Sequence, residues 1–125
     1  LWLAQGGKKV TIAEMLGDLM VGGIPVQHMN RLMLLDLLRF HGVEAMTRTS
    51  LQEVTGGAAI LLDGNSREKT IPADTIVLAV GLQPDQQLYQ TLRGHVPDLY
   101  LIGDSRKPQN IMNAVWDAYE VARMI

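Results

Sequence analysis

The chain contains no cysteine. That absence excludes a disulfide scaffold, a thiol nucleophile and Cys-ligated zinc or iron–sulfur within these residues. Aromatic residues make up only 5%, with a single Phe, so Trp2 and Trp116 read as packing groups rather than as stacking platforms. Neither sign of charge dominates. Lys plus Arg is 11 and Asp plus Glu is 13, a formal net charge of -2, which lacks the electrostatic footprint of a nucleic-acid binder. No apolar run reaches the ~18 residues that mark a membrane-spanning helix, so no membrane partner is expected. No leader is expected either, and a cytoplasmic address fits. There is no internal repeat and no low-complexity stretch.

What is present suits a folded domain. Hydrophobic residues are 47% of 125 and charged residues 19%, enough apolar material for a core and too much for a disordered tail. Leu1–Gly7 reads as the end of a helix, with Gly6 or Gly7 in the left-handed conformation just past it. Residues 8–14 (KKVTIAE) carry three β-branched residues in a row and predict a strand. Residues 15–24 read as a loop with three glycines. Pro25 then opens a helix, where its missing N–H costs nothing. Met29, Leu32, Met33, Leu37 and Phe40 form one stripe on that helix. Leu34, Leu35 and Leu38 widen it, which predicts burial on more than one side. His41-Gly42 ends it.

Short strands are predicted over 43–49, 51–55 and 58–62, with a hairpin turn at Gly56-Gly57 and another at Asp63-Gly64-Asn65. A fourth near 68–71 completes an antiparallel meander. Residues 74–80 (DTIVLAV) are nearly all apolar, as in a parallel strand buried on both faces. Gly81 and Pro84 break that run, and 88–92 reads as a short helix. Residues 98–102 (DLYLI) read as a last strand, and Pro108 opens a final helix. On that helix Ile111, Ala114, Val115, Ala118, Ala122 and Ile125 recur at helical spacing, with Asn113, Asp117 and Glu120 opposite. The order is that of an α/β fold, a Rossmann-like parallel sheet with helices and an inserted antiparallel meander.

Three places suit chemistry. Glu14 ends the strand that follows a glycine-terminated helix. In a dinucleotide-binding βαβ unit an acidic residue there accepts from the ribose 2′-hydroxyl; the alternative is an ordinary solvated Glu. Met15, Leu16 and Gly17 supply no positive charge and Asp18 adds negative charge, which favours NADH over NADPH. Gly103-Asp104 follows a short apolar run and precedes a helix start, where free N–H groups favour anionic or carbonyl oxygens. A carboxylate there can accept a polyol hydroxyl; the alternative is an Asx turn closed on its own backbone. Gly81 allows a ligand or another backbone to approach closely, or simply reverses the chain. His28, His41 and His95 have no metal-ligand spacing and read as surface or capping groups. The methionines read as core filler. Arg31, Asp36 and Arg39 read as a solvated helix face with local ion pairs.

LAQGGKKVTIAE (3–14), ADTIVLAVGLQPD (73–85) and DLYLIGDSRKPQNIMNAVWDAYEVARMI (98–125) together resemble flavin-dependent pyridine nucleotide oxidoreductases with two dinucleotide domains. Within that superfamily the chain resembles the C-terminal region of the 2-enoate reductase, 2,4-dienoyl-CoA reductase and trimethylamine dehydrogenase group. The resemblance implies 1–82 as a partial NAD(P)H-binding domain without its first strand and glycine fingerprint. It implies 83–125 as the returning FAD-domain segment. It implies that Glu14 faces the NAD ribose, Gly81 lies near NAD, Gly103 and Asp104 meet the FAD ribitol, and the Ile111 backbone lies near the flavin pyrimidine edge. Ser105 and Gln109 depart from the Cys and Arg of many relatives. In the parent the resemblance implies hydride transfer from NADH to FAD, then electrons through a 4Fe-4S cluster to FMN for alkene reduction. FMN and cluster lie outside this chain, and no residue here serves as an alkene-step acid or base.

A partial sheet leaves open strand edges. Strand 98–102 with its helix could fill the vacant slot, or two copies could pair as a homodimer. The chain alone, without the rest of the parent enzyme, is expected to be inactive. The competing reading is a non-redox α/β nucleotide-binding or interaction module.

Overall fold

The first helix closes at the glycine pair. A computed structural model describes residues 1–23 and 25–125; Ile24, the last residue of the expected loop, lies outside the described residues. Helix α1 spans Trp2–Gln5. Gly7 lies at φ +76°, its N–H donates to the Ala4 carbonyl, and the Lys8 N–H donates to the Leu3 carbonyl. This pair of bonds is a Schellman motif, which needs a left-handed residue at that point. The chain divides into two units, Leu1–Val77 and Leu78–Ile125.

In the first unit, strand β1 (Thr11–Glu14) and strand β2 (Glu44–Thr47) pair in parallel, Thr11 opposite Glu44 and Glu14 opposite Thr47. Helix α2 (His28–Phe40) connects them, so the unit begins as a βαβ crossover. A second Schellman motif ends α2: Gly42 at φ +67°, with the Gly42 N–H on the Arg39 carbonyl and the Val43 N–H on that of Leu38. Buried Val43 follows, at the position where such motifs favour an apolar residue.

One residue then redirects the chain. Arg48 sits at φ +52°, donating its N–H to the Leu16 carbonyl at 2.9 Å. Strand β3 (Thr49–Thr55) starts immediately after it. Strands β3, β4 (Ala58–Asp63) and β5 (Glu68–Pro72) form an antiparallel sheet in sequence order, with a bulge at Gln52 between Leu51 and Glu53. The core of buried apolar side chains is Leu19, Val43, Ala59 and Leu61, beside buried Thr49. The meander is therefore as expected, while the reading of 43–49 as one strand is corrected: Arg48 splits it between two sheets.

Three further readings are corrected in this unit. Pro25 does not open α2, which starts at His28 with Gln27 as its cap. No α2 residue is buried; Leu34, Leu35, Leu37 and Leu38 are half-buried, while Met29, Met33 and Phe40 are exposed, because a two-stranded sheet offers too little surface to cover a wide apolar stripe. Trp2 is exposed too, as are Met15 and, in the other unit, Trp116, Met112 and Met124, so neither the tryptophans nor most methionines act as core filler.

The loop after β1 is held by an ion pair. Arg31 donates to the Asp18 carboxylate, and its Nε donates to the Leu19 carbonyl at 3.0 Å. Asp36 and Arg39 form the expected local pair, but Arg31 belongs to this clamp rather than to a solvated face. Asp18 is held below the usual carboxylate range chiefly by the Arg31 guanidinium, then by the Leu19 amide. The Arg67 and Asn65 amides do the same for Asp63 at the β4–β5 turn. A folded-state pKa below the unfolded value stabilises the fold above the unfolded value, and that stability is lost as pH falls through the folded one. Thermal stability is therefore expected to fall as pH drops below about 4. The double variant Asp18→Asn, Asp63→Asn should have a flatter melting-temperature profile across that range than the wild type. A profile as steep as the wild type's would remove these two carboxylates as its cause.

The second unit holds helices α3 (Gln87–Leu92), α4 (Gly103–Arg106) and α5 (Ile111–Ala122). Two expected strands are absent. Residues 74–80 form no strand, and Val77, Leu78 and Val80 are exposed. Strand geometry requires a hydrogen-bonded neighbour, and among the described residues this run has none. Residues 98–102 form no strand either, so they fill no slot in a sheet. Pro108 lies before α5 rather than in it, because Asn110 caps the helix by accepting from the Asn113 N–H at 3.0 Å.

Candidate functional site

Glu14 stands at the end of β1, where the parallel pair stops and the chain enters the 15–23 loop. Its Oε1 accepts the Leu16 N–H at 2.8 Å. That bond fixes the carboxylate at the strand end, as an Asx-like turn would. The second oxygen accepts from no described donor. The charge around it differs from the local sequence count. Asp18 is neutralised by Arg31. Arg48 reaches back across the loop: its Nε lies 3.6 Å from where a Gly17 Cβ would stand, and its outer guanidinium nitrogen 3.9 Å. Gly64 flanks the same side chain, its Cβ position 3.3 Å from the Arg48 Cβ. A cation thus lies beside Gly17, where residues 15–18 alone supply none. The sequence carries no local sign of it, because Arg48 is distant in sequence and its left-handed backbone is rare for a non-glycine residue.

The other constellation lies wholly in the second unit. Gly103 sits at φ +59°, and a Cβ on it would lie 3.6 Å from the Ala114 Cβ of α5. Its N–H donates to Asp117 Oδ2 at 3.0 Å. Asp117 Oδ1 pairs with the Arg106 guanidinium at 2.6 Å. Asp104 Oδ1 accepts the Gln109 N–H at 3.2 Å, five residues on, so the carboxylate is held by the backbone of the loop rather than by the two-residue Asx turn, with the other oxygen available. At the start of α5 the Ile111 and Met112 N–H groups donate to no acceptor among the described residues. Gly103, Asp104 and Ile111 therefore come together as one turn leading into a helix N-terminus.

Gly81 has φ +95° with nothing within 4 Å of its Cβ position. It makes no hydrogen bond to the Gly103–Ile111 turn. The half-buried face of α5 is rotated by about a quarter turn from the one expected from periodicity. Asn113, Ala114, Asp117 and Val121 are its half-buried residues, while Ile111, Val115 and Ile125 are exposed. Asp117 is the residue this misreading hid. The recoverable signal was the four-residue spacing of Asn113, Asp117 and Val121, which sets one stripe of the helix. Among the described residues no group of His, Asp and Glu could hold a metal ion, and no helix is long and apolar enough to cross a membrane.

Known proteins bear on this geometry. Residues 1–118 match the family described as pyridine nucleotide-disulphide oxidoreductase. The chain is 42% identical over 125 residues to the cinnamate reductase of Clostridium sporogenes, covering all of this chain and 19% of that protein. It is 36% identical over 120 residues to the metal reductase of Desulforamulus reducens, covering 96% of this chain and 17% of that protein. The structure of a 2-naphthoyl-CoA reductase complex superposes with a TM-score of 0.87 at 25% identity, over 99% of this chain and 18% of that one. The chain thus spans about a fifth of the length of the curated relatives it matches.

Proposed function

The chain belongs to the pyridine nucleotide-disulphide oxidoreductase family, and from that premise we propose that it carries the electron-entry step of an NADH-dependent flavoenzyme. It is part of an NAD(P)- and FAD-binding domain in a flavin oxidoreductase similar to cinnamate reductase. The two relatives and the superposed structure are named for three different acceptors: cinnamate, a metal and naphthoyl-CoA. A segment common to all three suits a step shared by them better than it suits the site of any one acceptor. We assign 1–82 to nicotinamide nucleotide and 83–125 to FAD, with alkene reduction through FMN and a 4Fe-4S cluster belonging to the rest of the protein. A segment without cysteine supplies no thiolate for such a cluster, nor a disulfide of its own.

The observation that carries this reading is the turn at Gly103–Ile111. Asp104 keeps one carboxylate oxygen open, which suits a ribityl hydroxyl donor. Gly103 has no Cβ and a left-handed φ, which lets a ligand approach its backbone closely. The unused Ile111 and Met112 N–H groups at the start of α5 suit carbonyl oxygens of a flavin ring. Toward nicotinamide nucleotide, Glu14 of the first unit offers an oxygen to ribose hydroxyls; Gly81, in the second unit, offers an open backbone. Bound NADH supplies a hydride and bound FAD accepts it; the residues of this chain bind and orient.

The test is the flavin content of the natural full-length protein. It should purify with FAD, and NADH should bleach it anaerobically. Asp104→Asn should bind FAD about tenfold more weakly, the loss of one charge-assisted hydrogen bond. Purified protein free of FAD that neither binds added FAD nor responds to NADH would sink the proposal.

A further inference from the structure

We propose that Asp117 is the positioning residue of this flavin turn: through the Gly103 N–H it sets the direction in which Asp104 is presented. The inference rests on the flavin reading above and extends it to a residue that touches no cofactor.

Three bonds give the argument. Gly103 in its left-handed conformation turns its N–H inward, and Asp117 Oδ2 accepts it at 3.0 Å. Lacking this acceptor, that N–H would face a half-buried helix surface with no partner, which is costly. The other Asp117 oxygen takes the Arg106 guanidinium, so one carboxylate grips both ends of the single-turn helix α4. Its side chain is 14% exposed, against 55% for Arg106. The charged pair therefore sits with its anion shielded and its cation in water, the arrangement in which the anion's geometry is the better fixed. Asp104 lies one residue beyond the gripped amide. It is fixed on its own far side by the Gln109 N–H. With residue 103 tied to the second turn of α5 and residue 104 tied to its approach, the remaining Asp104 oxygen has one direction to point.

The polar stripe of α5 is thus explained. A carboxylate on the packed face of an amphipathic helix conflicts with simple apolar patterning, and such local conflicts concentrate where function demands them. A structural role alone calls for a satisfied Gly103 N–H. A positioning role calls also for FAD affinity that depends on that bond.

The experiment compares Asp117→Ala, Asp117→Asn and Arg106→Gln in the natural full-length protein. It measures the FAD dissociation constant, the melting temperature of the FAD-free form and the Gly103 amide resonance. Asp117→Ala should weaken FAD binding about tenfold and shift the Gly103 amide, with Asp104 chemically intact. Asp117→Asn, which keeps an acceptor for the Gly103 N–H, should restore most of the affinity, and Arg106→Gln, which loosens the carboxylate but leaves the Gly103 bond in place, should weaken it by less than Asp117→Ala does. Asp117→Ala with unchanged FAD affinity overturns the inference while leaving the flavin reading standing. So does a loss of affinity that only follows a loss of melting temperature equally in Asp117→Ala and Asp117→Asn. Wild-type protein that binds no FAD overturns both.

Discussion

Leu61→Ala is expected to lose about 2–5 kcal/mol of stability in the first unit, a large fraction of what a small unit has. Leu61 is 4% exposed and stands on the central strand of the antiparallel sheet, opposite Leu51 on β3 and Lys69 on β5. The core around it is small. Leu19, Val43 and Ala59 are the other buried apolar side chains among the described residues. A cavity at Leu61 removes transfer energy and leaves neighbours that are themselves held by strand pairing, so the site collapses poorly. Val54, on the adjoining β3 strand, is 54% exposed, and Val54→Ala should cost well under about 1 kcal/mol. Urea denaturation followed by circular dichroism checks both. Equal midpoints for the two variants would show that the meander is not the unit's core.

The contrast between this sheet and the two absent strands shows what the sequence could and could not reveal. The meander was legible because its information is local. Gly56-Gly57 and Asp63-Gly64-Asn65 define turns, and Asp63 closes its own turn by accepting the Asn65 and Arg67 amides at 2.8 and 2.9 Å. The same holds for the two glycine-closed helix ends. Residues 74–80 were misread because composition reports a strand's wish for burial, whereas the strand itself depends on a neighbour far away in sequence. Arg48 and Asp117 were missed for a related reason. Each acts on a glycine more than ten residues distant, Gly17 and Gly103, and neither glycine announces its partner. Glu14, Gly103 and Asp104 are legible because strand ends and helix starts are fixed points of backbone chemistry, marked locally by glycine and an acidic side chain.

Glu14 carries the prediction with the largest effect on cofactor choice. Its free oxygen is proposed to accept from an adenosine ribose, a charge-assisted bond worth about 1.5–3 kcal/mol. Glu14→Ala should therefore raise KM for NADH about tenfold to a hundredfold in the natural enzyme. The fate of NADPH is the more telling measurement. In the wild type a 2′-phosphate would meet the Glu14 carboxylate and be repelled. Asp18 adds little to that repulsion, because Arg31 neutralises it. Once Glu14 is gone, the guanidinium of Arg48 stands beside Gly17, three residues along the chain from position 14, and it attracts phosphate. Glu14→Ala should consequently improve NADPH use while it harms NADH use. Adding Arg48→Gln should cancel the improvement without restoring NADH. Coupling between the two positions would show as non-additivity, so the double variant separates a charge effect from simple loss of a contact. If Glu14→Ala lowers activity with both nucleotides by the same factor, the carboxylate holds the loop rather than the ribose, and the bond from the Leu16 N–H at 2.8 Å becomes its main purpose.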